Sequence, residues 1–395
     1  MDNHWRKFDY LLLLATLGLM GLGLVLIYSA TLPSPGQPVG SLSLDSPVVR
    51  QAIFALIGLP LMLLVSQVDF RLLEEVFFRT RASRDSIDGT SQGQRVLASF
   101  LHPLYVINVG LLVFVLVLGR VTHGSQRWIS LGFFDLQPSE VAKLLIIITL
   151  AKFLSDQDED IKRLRPVLIS LVHVGVPAVL IYLQPDLGTA IVLVFIWAGM
   201  VTMAGARFPH LVLVIIPAIL AAPLVWLYIL KDYQRERVLI FLDPYLDPLG
   251  AGYNPIQSLV SVGSGGLWGK GLTAGTQSQL HFLRVQHTDY IFSVLGEELG
   301  FVGAICFFAL LAVVLFRALR IASNCPEPFG QLVACGVVVM LFSQSFVNVG
   351  MNTGLLPVTG IPLPFISSGG SSLLTLLIAE GLLQSIAMHG KRAGF

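Results

Sequence analysis

The chain has 395 residues, of which 54% are hydrophobic and only 12% charged, and its mean hydropathy is +0.78. This balance excludes an ordinary soluble globular protein, in which about a quarter of the residues are charged. The net charge of +1 gives no reason to expect a nucleic acid or another polyanion as a partner. The three cysteines show no CxxC spacing, so we interpret them as small apolar residues rather than redox or metal groups.

Ten hydrophobic stretches are long enough to cross a membrane as helices, which requires about 20 apolar residues each. Lipid offers the backbone no hydrogen-bond partners, so helices are the expected spanning structure. The predicted fold class is therefore an all-α polytopic membrane protein with about ten transmembrane helices. The spans are predicted at residues 9–30, 48–68, 97–119, 138–154, 166–184, 188–204, 210–230, 290–316, 328–349 and 370–388.

The distribution of basic residues predicts the orientation of these spans. If the N-terminus is cytoplasmic, most of the 25 Lys and Arg residues fall in cytoplasmic segments, as the positive-inside rule requires. Both termini are then cytoplasmic, and the first span is a retained signal anchor rather than a cleaved signal peptide. We predict one transmembrane domain over 1–395, with a polar cytoplasmic insert at 79–95.

The segment 231–289, between the seventh and eighth spans, is predicted to be a large extracytoplasmic loop. Loops of this length tend to be functional. Its stretch SVGSGGLWGKG (261–271) has too many glycines for a stable helix in water. The stretch is either a flexible connector or, because apolar residues alternate with the glycines, backbone packed on the bundle; the second interpretation is favoured.

Two motifs place ionisable residues where apolar helices begin. Glu140 and Lys143 share one face of the fourth span, because residues three apart in a helix are neighbours. Either Glu140 complements the helix N-terminus while Lys143 extends outward to the membrane surface, or Lys143 faces inward and binds an anion. Asp186, in the tight corner QPDLGT (184–189), either caps the next helix or lines a site.

Further charged positions are predicted on the same outer face. Arg127 can bind phosphate in a bidentate manner through two N–H groups of its guanidinium. Asp289 precedes an apolar run and either caps that helix or serves a site. Glu298 lies about two turns further on, where a carboxylate is costly unless a cavity or a cation receives it. The sequence therefore predicts an outward-facing polar cavity with walls that include Asp186, Asp289, Lys143 and Arg127.

Several long motifs follow one another from Gly124 to the C-terminus. They are GSQRWISLG and QPSEVAK (124–143), QPDLGT (184–189), YQRERV, LDP, DPLGAGYN and VGSGGLWGKG (233–271), GTQSQL and HTDYIFSVLGEELGFVG (275–303), and NVGMNTGLLPVTGIPLPFISSGGSSLL (348–374). In this order they resemble the SEDS family of bacterial shape, elongation, division and sporulation proteins, which includes RodA, FtsW and SpoVE. GTQSQL and the last motif are most similar to the RodA branch, whereas the first spans agree mainly in hydropathy.

The resemblance implies a peptidoglycan glycosyltransferase of the bacterial cytoplasmic membrane. Such enzymes polymerise lipid II into glycan strands at the outer face during elongation and shape maintenance. Their implied partners are a class B penicillin-binding protein, which cross-links the product, and other membrane proteins of the elongation complex. The resemblance assigns the general base to Asp289, of the HTD motif. The residues predicted to bind substrate are Asp186, Lys143, Arg127, Glu140, Arg235, Arg237, His287, Thr288 and Glu298.

The pattern identifies no certain cofactor; Asp186 is a candidate ligand for a divalent cation, magnesium or manganese, beside the departing pyrophosphate. The chain also departs from the family pattern at two places. LRV (283–285) stands where Pro-Glu commonly follows FL, and SSGG (367–370) stands where Ser-Tyr-Gly-Gly is usual. The first departure leaves open the role of that glutamate in positioning the acceptor, and the second leaves open a tyrosine hydrogen bond.

Three other functions are compatible with the sequence. A lipid II flippase or transporter would also have charges within spans and glycine-broken segments. A scaffold would dock partner enzymes without catalysis, and a division polymerase of the FtsW type would perform the same reaction elsewhere in the cell. Loss of glycan in an Asp289→Ala variant would favour the enzyme, whereas translocation without polymer would favour the flippase.

Overall fold

The protein is described here by a computed structural model, which covers residues 4–33, 46–73, 100, 102–122, 125–130, 132, 135–283 and 285–390. The predicted insert at 79–95 lies outside the described residues, and so does Arg284 of the LRV stretch. The elements are, in chain order, α1 (Tyr10–Ala30), α2 (Pro47–Gln67), α3 (Pro103–Leu118), β1 (Arg120–Thr122), β2 (Ser125–Ser130), β3 (Asp135–Leu136), α4 (Pro138–Ser155), α5 (Leu164–Leu183), α6 (Leu187–Met203), α7 (Phe208–Leu224), α8 (Asp232–Leu242), α9 (Tyr253–Ser264), α10 (Thr276–Gln279), α11 (Ile291–Asn324), α12 (Pro328–Asn352) and α13 (Gly370–His389).

Each of the ten predicted spans corresponds to one apolar helix in the described part of the chain. Seven of these helices are long and apolar enough to cross a membrane, counting α7 with the π-helical turn that follows it. α3 and α6 are shorter apolar helices, and α4 is 18 residues long but contains three ionisable side chains. The prediction of a polytopic all-α membrane protein is therefore confirmed.

The contacts of α1 with α11 define the two ends of the helix bundle. At one end Ser29 donates a hydrogen bond to Glu298 (2.5 Å), and at the other end Arg317 pairs with Asp9 (2.6 Å). Gln384, near the end of α13, bonds the backbone of Asp9 (2.9 Å). The two ends of the described chain therefore lie together at one end of the bundle. We call this the terminal end, and the end that carries Glu298 the opposite end.

A short antiparallel sheet between α3 and α4 was not predicted. Its order is β1–β2–β3, and the longest strand, β2, has 6 residues. Strands this short leave too little alternation in the sequence to reveal them. Ser371 at the start of α13 anchors the last strand, because its hydroxyl donates to Asp135 O (2.8 Å) and accepts from Gln137 N (3.2 Å).

The segment between α7 and α11 folds into α8, α9, α10 and a short 3-10 helix over Pro244–Leu246. α9 extends through Ser264, so it reaches four residues further into the glycine-rich stretch than the sequence led us to expect. Its end packs closely on α11: a Cβ at Gly265 would lie 1.9 Å from the carbonyl oxygen of Gly296. Glycine is needed there because it lets two backbones approach.

α11 is kinked at Gly300, whose backbone (φ 64°, ψ −158°) is not helical. The stretch Gly265–Gly271 crosses α11 at the kink and supplies hydrogen-bond partners to backbone groups on both sides of it. The bonds are Lys270 N to Glu297 O (2.9 Å), Gly271 N to Glu298 O (3.0 Å), Phe301 N to Gly266 O (2.9 Å) and Val302 N to Leu267 O (3.1 Å). The crossing therefore fastens the connecting segment to the start of α11.

We expect Gly300→Ala to lower the free energy of unfolding by about 1–3 kcal/mol, because Gly300 adopts a backbone conformation that side chains rarely tolerate. A Cβ there would also lie 2.3 Å from Gly269 N. Thermal unfolding of the purified protein measures the effect. Gly263→Ala is the control, because Gly263 lies within α9 and has open space around it. Equal unfolding temperatures for the two variants would contradict a strained crossing.

Candidate active site

Asp289 lies at the opposite end of the bundle, directly before α11. The helix cap is Tyr290, which makes no side-chain cap bond, so Asp289 does not cap α11. Its backbone oxygen accepts two hydrogen bonds, from the side-chain amides of Asn348 and Asn352 (3.0 Å each). Its carboxylate Oδ2 lies 3.5 Å from where a Cβ of Gly360 would be. The backbone is thus fixed by α12, and the carboxylate lies against the connection from α12 to α13.

The electrostatic surroundings of Asp289 combine burial with charges of both signs. Burial raises the pKa of the Asp289 carboxyl above its ordinary value, and the charge of Asp186 acts in the same direction. A hydrogen bond from the Thr288 side chain lowers this pKa, as do the charges of Arg237 and Arg127, but the net direction is upward. A carboxylate with a raised pKa is a stronger base than an ordinary aspartate.

Asp186 joins the beginnings of α4 and α6. It caps α6, because Oδ1 accepts from Thr189 N (3.2 Å), while Oδ2 accepts from the hydroxyl of Thr189 (2.9 Å). From α4 and its cap, Ser139 Oγ and Gln137 Nε2 also donate to Oδ2 (3.3 Å each). The capping interpretation is therefore correct. The same carboxylate contributes to the field at Asp289, so the two interpretations do not exclude each other.

Arg127 lies on β2 and holds the corner between α5 and α6. Its Nε donates to the carbonyl oxygen of Gln184 (2.8 Å), and its Nη2 donates to that of Pro185. The unpredicted sheet thus has a function in the fold, since it brings a guanidinium to the corner that carries Asp186. Part of the guanidinium is committed to these carbonyls.

Arg235 and Arg237 lie two residues apart on α8 but have different environments. Arg235 donates to the carbonyls of Trp226 and Leu227 (2.9 Å each), so it closes the π-helical turn after α7. Arg237 donates one bond, to Val358 O (3.2 Å), and stacks on the Tyr233 ring at 5.8 Å. Arg237 is among the charges that lower the pKa of Asp289.

A cavity of about 460 Å³ opens beside Arg237, between α8, α9 and the connection from α12 to α13. Tyr290, the neighbour of Asp289, forms part of its wall. Most of the other lining side chains are apolar, including Ile240, Phe241 and Leu259. The cavity therefore combines an apolar surface with one cation, Arg237, and one carboxylate, Glu236, next to the candidate base.

Lys143 and Glu140 form a buried ion pair with an N–O distance of 2.8 Å. Lys143 is 1% exposed and Glu140 2% exposed, so the interpretation in which Lys143 extends to the membrane surface is wrong. Lys143 faces the bundle interior, as favoured, but its ammonium is paired with Glu140. The binding of an anionic ligand by Lys143 stays a prediction.

We expect Lys143→Met to destabilise the protein by about 3–5 kcal/mol, because it leaves the carboxylate of Glu140 buried without a cation. Combining it with Glu140→Gln should recover most of the lost stability, since both buried charges are then absent. Thermal unfolding and the yield of folded protein measure both effects. A double variant that folds but has lost activity would support a ligand role for Lys143, whereas full activity would argue for a structural pair.

His287 and Thr288 precede Asp289 and are held through their backbones. Ser368 N donates to His287 O (2.9 Å), and the hydroxyl of Ser367 donates to Thr288 O (2.5 Å). Burial lowers the pKa of His287, which favours a neutral imidazole at neutral pH. The SSGG stretch that departs from the family pattern therefore contacts the backbone of the HTD motif directly.

Glu298 is fully buried and bonded to other parts of the fold. Its Oε1 accepts from Ser29 (2.5 Å), Ser278 (3.2 Å) and Gln279 (3.4 Å), which ties α1 and α10 to α11. Glu297, which sequence reasoning did not select, pairs with Lys270 (2.8 Å). These contacts hold the connecting segment to the bundle. A role for Glu298 in binding substrate stays a prediction.

The structure brings together five of the predicted site residues, namely Asp289, Thr288, Asp186, Arg127 and Arg237. Arg235, Glu298 and the pair Glu140–Lys143 have partners of their own. Asn348 and Asn352, which position Asp289, were missed as site residues. The sequence did contain a signal for them, because two side-chain amides four residues apart on one face of an apolar helix are expected to have buried hydrogen-bond partners.

The surroundings of Asp186 fit a helix cap better than a metal centre. The donors around its carboxylate are hydroxyl, amide and backbone N–H groups, which occupy both oxygens. Within the described residues no group of three His, Cys, Asp or Glu side chains could hold a metal ion. A divalent cation held by Asp186 stays a prediction.

Comparison with known proteins decides the family. The chain matches the FtsW/RodA/SpoVE family of cell cycle proteins over residues 92–392. It belongs to this family. This is the SEDS family that the motifs indicated, so the family assignment from the sequence is confirmed.

Relatives within the family cover most or all of the chain. The peptidoglycan glycosyltransferase MrdB of Escherichia coli K12 is 42% identical over 75% of this chain and 80% of its own. The stage V sporulation protein E of Bacillus subtilis is 38% identical over 97% of this chain and 98% of its own.

Two solved structures share the fold. A chain of a peptidoglycan synthase complex, studied for the coordination of polymerization and crosslinking, has a TM-score of 0.75 at 31% identity and covers 97% of this chain and 98% of its own. The rod shape determining protein RodA of Thermus thermophilus has a TM-score of 0.64 at 28% identity, covering 98% of this chain and 99% of its own.

Proposed function

We propose that this family member is a peptidoglycan glycosyltransferase that polymerises lipid II into glycan strands during cell elongation and shape maintenance. The proposal depends on the environment of Asp289. Its carboxyl group has a raised pKa, and the charge of Arg237 acts on it. A largely apolar cavity, lined by Arg237 and Tyr290, lies beside it. The similarity to MrdB, which is named for this activity, supports the proposal.

The reaction needs a base and a positive charge, and these residues can supply both. Asp289 takes the proton of the acceptor sugar hydroxyl as the oxygen forms its bond to the anomeric carbon of the donor. The bond from that carbon to the pyrophosphate oxygen breaks, and undecaprenyl pyrophosphate leaves with the electron pair. Arg237 lies where it can stabilise the charge that develops on the leaving group, and such preorganised charges are usually the largest catalytic contribution.

The amphiphilic substrate suits a site at the end of the bundle. A polyprenyl tail can remain in lipid while its sugars and pyrophosphate reach the polar groups around Asp289. The cavity beside Arg237 offers apolar surface next to charged groups, the cation Arg237 and the carboxylate Glu236, which fits a ligand with both apolar and polar parts.

We propose that the opposite end of the bundle faces the outside of the bacterial cytoplasmic membrane and that both termini are cytoplasmic. Basic residues at the terminal end, among them Arg6, Lys7, Arg317 and Arg320, support this orientation.

A class B penicillin-binding protein is the proposed partner, together with other membrane proteins of the elongation complex. Support comes from the similar chain of the synthase complex, in which polymerization and crosslinking are coordinated.

Purified protein, with and without its class B partner, should convert labelled lipid II into glycan chains that separate by length on a gel.

A lipid II flippase is the alternative function. The buried pair Glu140–Lys143 favours it, because charges inside membrane proteins often line transport paths. Movement of lipid II across proteoliposome membranes without any polymer would reject the polymerase.

Polymerisation should be lost at acid pH, and at a higher pH than an ordinary aspartate would allow. The active form of Asp289 is the carboxylate, and its raised pKa means that it binds a proton earlier as the pH falls. The initial rate at saturating lipid II, measured against pH, gives the apparent pKa of the acid limb. An acid limb at or below the ordinary aspartate pKa would contradict this assignment.

A further inference from the structure

A second cavity, of about 360 Å³, lies at the terminal end of the bundle, far from Asp289. Its walls come from three parts of the chain, namely the residues before α1, the last turns of α11 and the end of α13. We call it the terminal cavity. Nothing in the proposed polymerisation uses it.

Four cationic side chains line the terminal cavity, and one carboxylate opposes them. The cations are Arg6, Lys7, Arg317 and Arg320, and the carboxylate is Asp9. Asp9 is already bonded: Arg317 donates to both of its oxygens (3.0 and 2.7 Å), and Oδ1 also accepts from Leu12 N (3.0 Å).

The remaining three cations lack such a partner. In the part of the chain that the structure describes, Arg6, Lys7 and Arg320 form no ion pair with a carboxylate, and all three are exposed. The cavity therefore has an excess of positive charge. The other lining groups include apolar side chains, such as Phe8, Ile321 and Ile386.

Aromatic residues beside the cavity mark its depth relative to the membrane. Trp5 and Tyr10 are about half exposed, and they flank Phe8 at ring-centroid distances of 5.6 and 5.1 Å. Tryptophan and tyrosine concentrate at the level of the lipid headgroups, where an apolar ring and a polar tip are both satisfied. We therefore expect the terminal cavity to lie at the level of the lipid phosphates.

We propose that the terminal cavity binds the phosphate headgroup of an anionic glycerophospholipid. The unpaired guanidinium and ammonium groups bind the phosphate, since arginine forks match phosphate oxygens. The apolar walls contact the start of the acyl chains. Basic pockets between membrane helices are a known mode of anionic lipid binding. Bound lipid would add a further link between the N-terminal segment, α11 and α13, which Asp9 already joins through Arg317 and Gln384.

The test measures lipid binding to the purified full-length chain in a neutral detergent, by native mass spectrometry and by the shift in unfolding temperature. The probes are phosphatidylglycerol, phosphatidylcholine and inorganic phosphate. We expect phosphatidylglycerol to bind and to raise the unfolding temperature. Combining Arg6→Gln, Lys7→Gln and Arg320→Gln should weaken its binding about 100-fold, because each charge near the surface is worth about a factor of five.

The matched control removes three cations from the same end but outside the cavity, with Lys162→Gln, Arg163→Gln and Arg207→Gln. This variant should bind phosphatidylglycerol like the wild type. Equal losses in the two triple variants would show diffuse surface attraction and overturn the proposal. Unchanged binding in the first variant would overturn it as well.

A further variant and two alternative ligands test the position and the chemistry of the proposed lipid site. Ala387→Leu narrows the terminal cavity without changing its charge, so it should weaken binding of phosphatidylglycerol several-fold; unchanged binding would place the lipid elsewhere. Inorganic phosphate should bind much more weakly than the lipid, because it lacks the acyl contacts. Equal affinity for free phosphate would overturn the lipid assignment. Phosphatidylcholine that binds as tightly as phosphatidylglycerol would overturn the role of charge.

Discussion

Asp289→Asn is expected to lower the rate of glycan polymerisation by about 10²–10⁴-fold, the usual contribution of a general base. Asparagine has nearly the same size and shape as aspartate, but its neutral amide cannot accept the proton of the sugar hydroxyl. The backbone bonds from Asn348 and Asn352 involve only the carbonyl of residue 289, so the fold should be preserved. The measurement is the initial rate of polymer formation from labelled lipid II.

Asp232→Asn is the matched control for this experiment. Asp232 is also an aspartate of the segment between α7 and α11, but its side chain is fully exposed and makes only a 3.6 Å contact with Arg235. The control variant should polymerise lipid II at the wild-type rate. Undiminished polymerisation by Asp289→Asn would remove this residue from the role of base. A parallel loss in both variants would point to a damaged fold.

Arg237→Gln is expected to lower kcat by about 10²–10³-fold, the effect of removing one preorganised group from a developing charge. Arg237 lines the cavity and acts on Asp289, and one bond to Val358 O is its only described hydrogen bond. Its loss should change kcat more than KM, because the leaving-group charge is largest in the transition state. Steady-state kinetics with lipid II separate the two constants.

Arg235→Gln provides the contrast, because Arg235 is two residues away on the same helix. Its guanidinium closes the turn after α7, so its loss should lower the unfolding temperature and affect kcat much less. Arg237→Lys keeps the charge and should recover part of the lost rate. If the two glutamine variants lose the same fraction of kcat, Arg237 has no special position relative to the substrate.

The number and order of the apolar helices were predictable because they depend on local composition. Lipid excludes unpaired backbone groups, so a long apolar stretch has few alternatives to a helix, and each predicted span has its helix. Boundaries were less predictable where a tertiary contact decides them. α11 continues to Asn324, well beyond the predicted end at 316, and Arg317 in this extension pairs with Asp9 at the start of α1.

The candidate site was only partly predictable. The sequence by itself determined which ionisable side chains lie at helix beginnings on one face of the membrane, because that follows from hydropathy and span order. It did not distinguish Arg235 from Arg237, nor a carboxylate that ties helices together, such as Glu298, from one next to the cavity wall, such as Asp289, whose neighbour Tyr290 lines the cavity. Only the tertiary structure decided these roles, because hydrogen bonds and burial depend on partners distant in sequence: the carboxylate of Glu298 is bonded to Ser29, whereas Asn352 bonds only the backbone oxygen of Asp289.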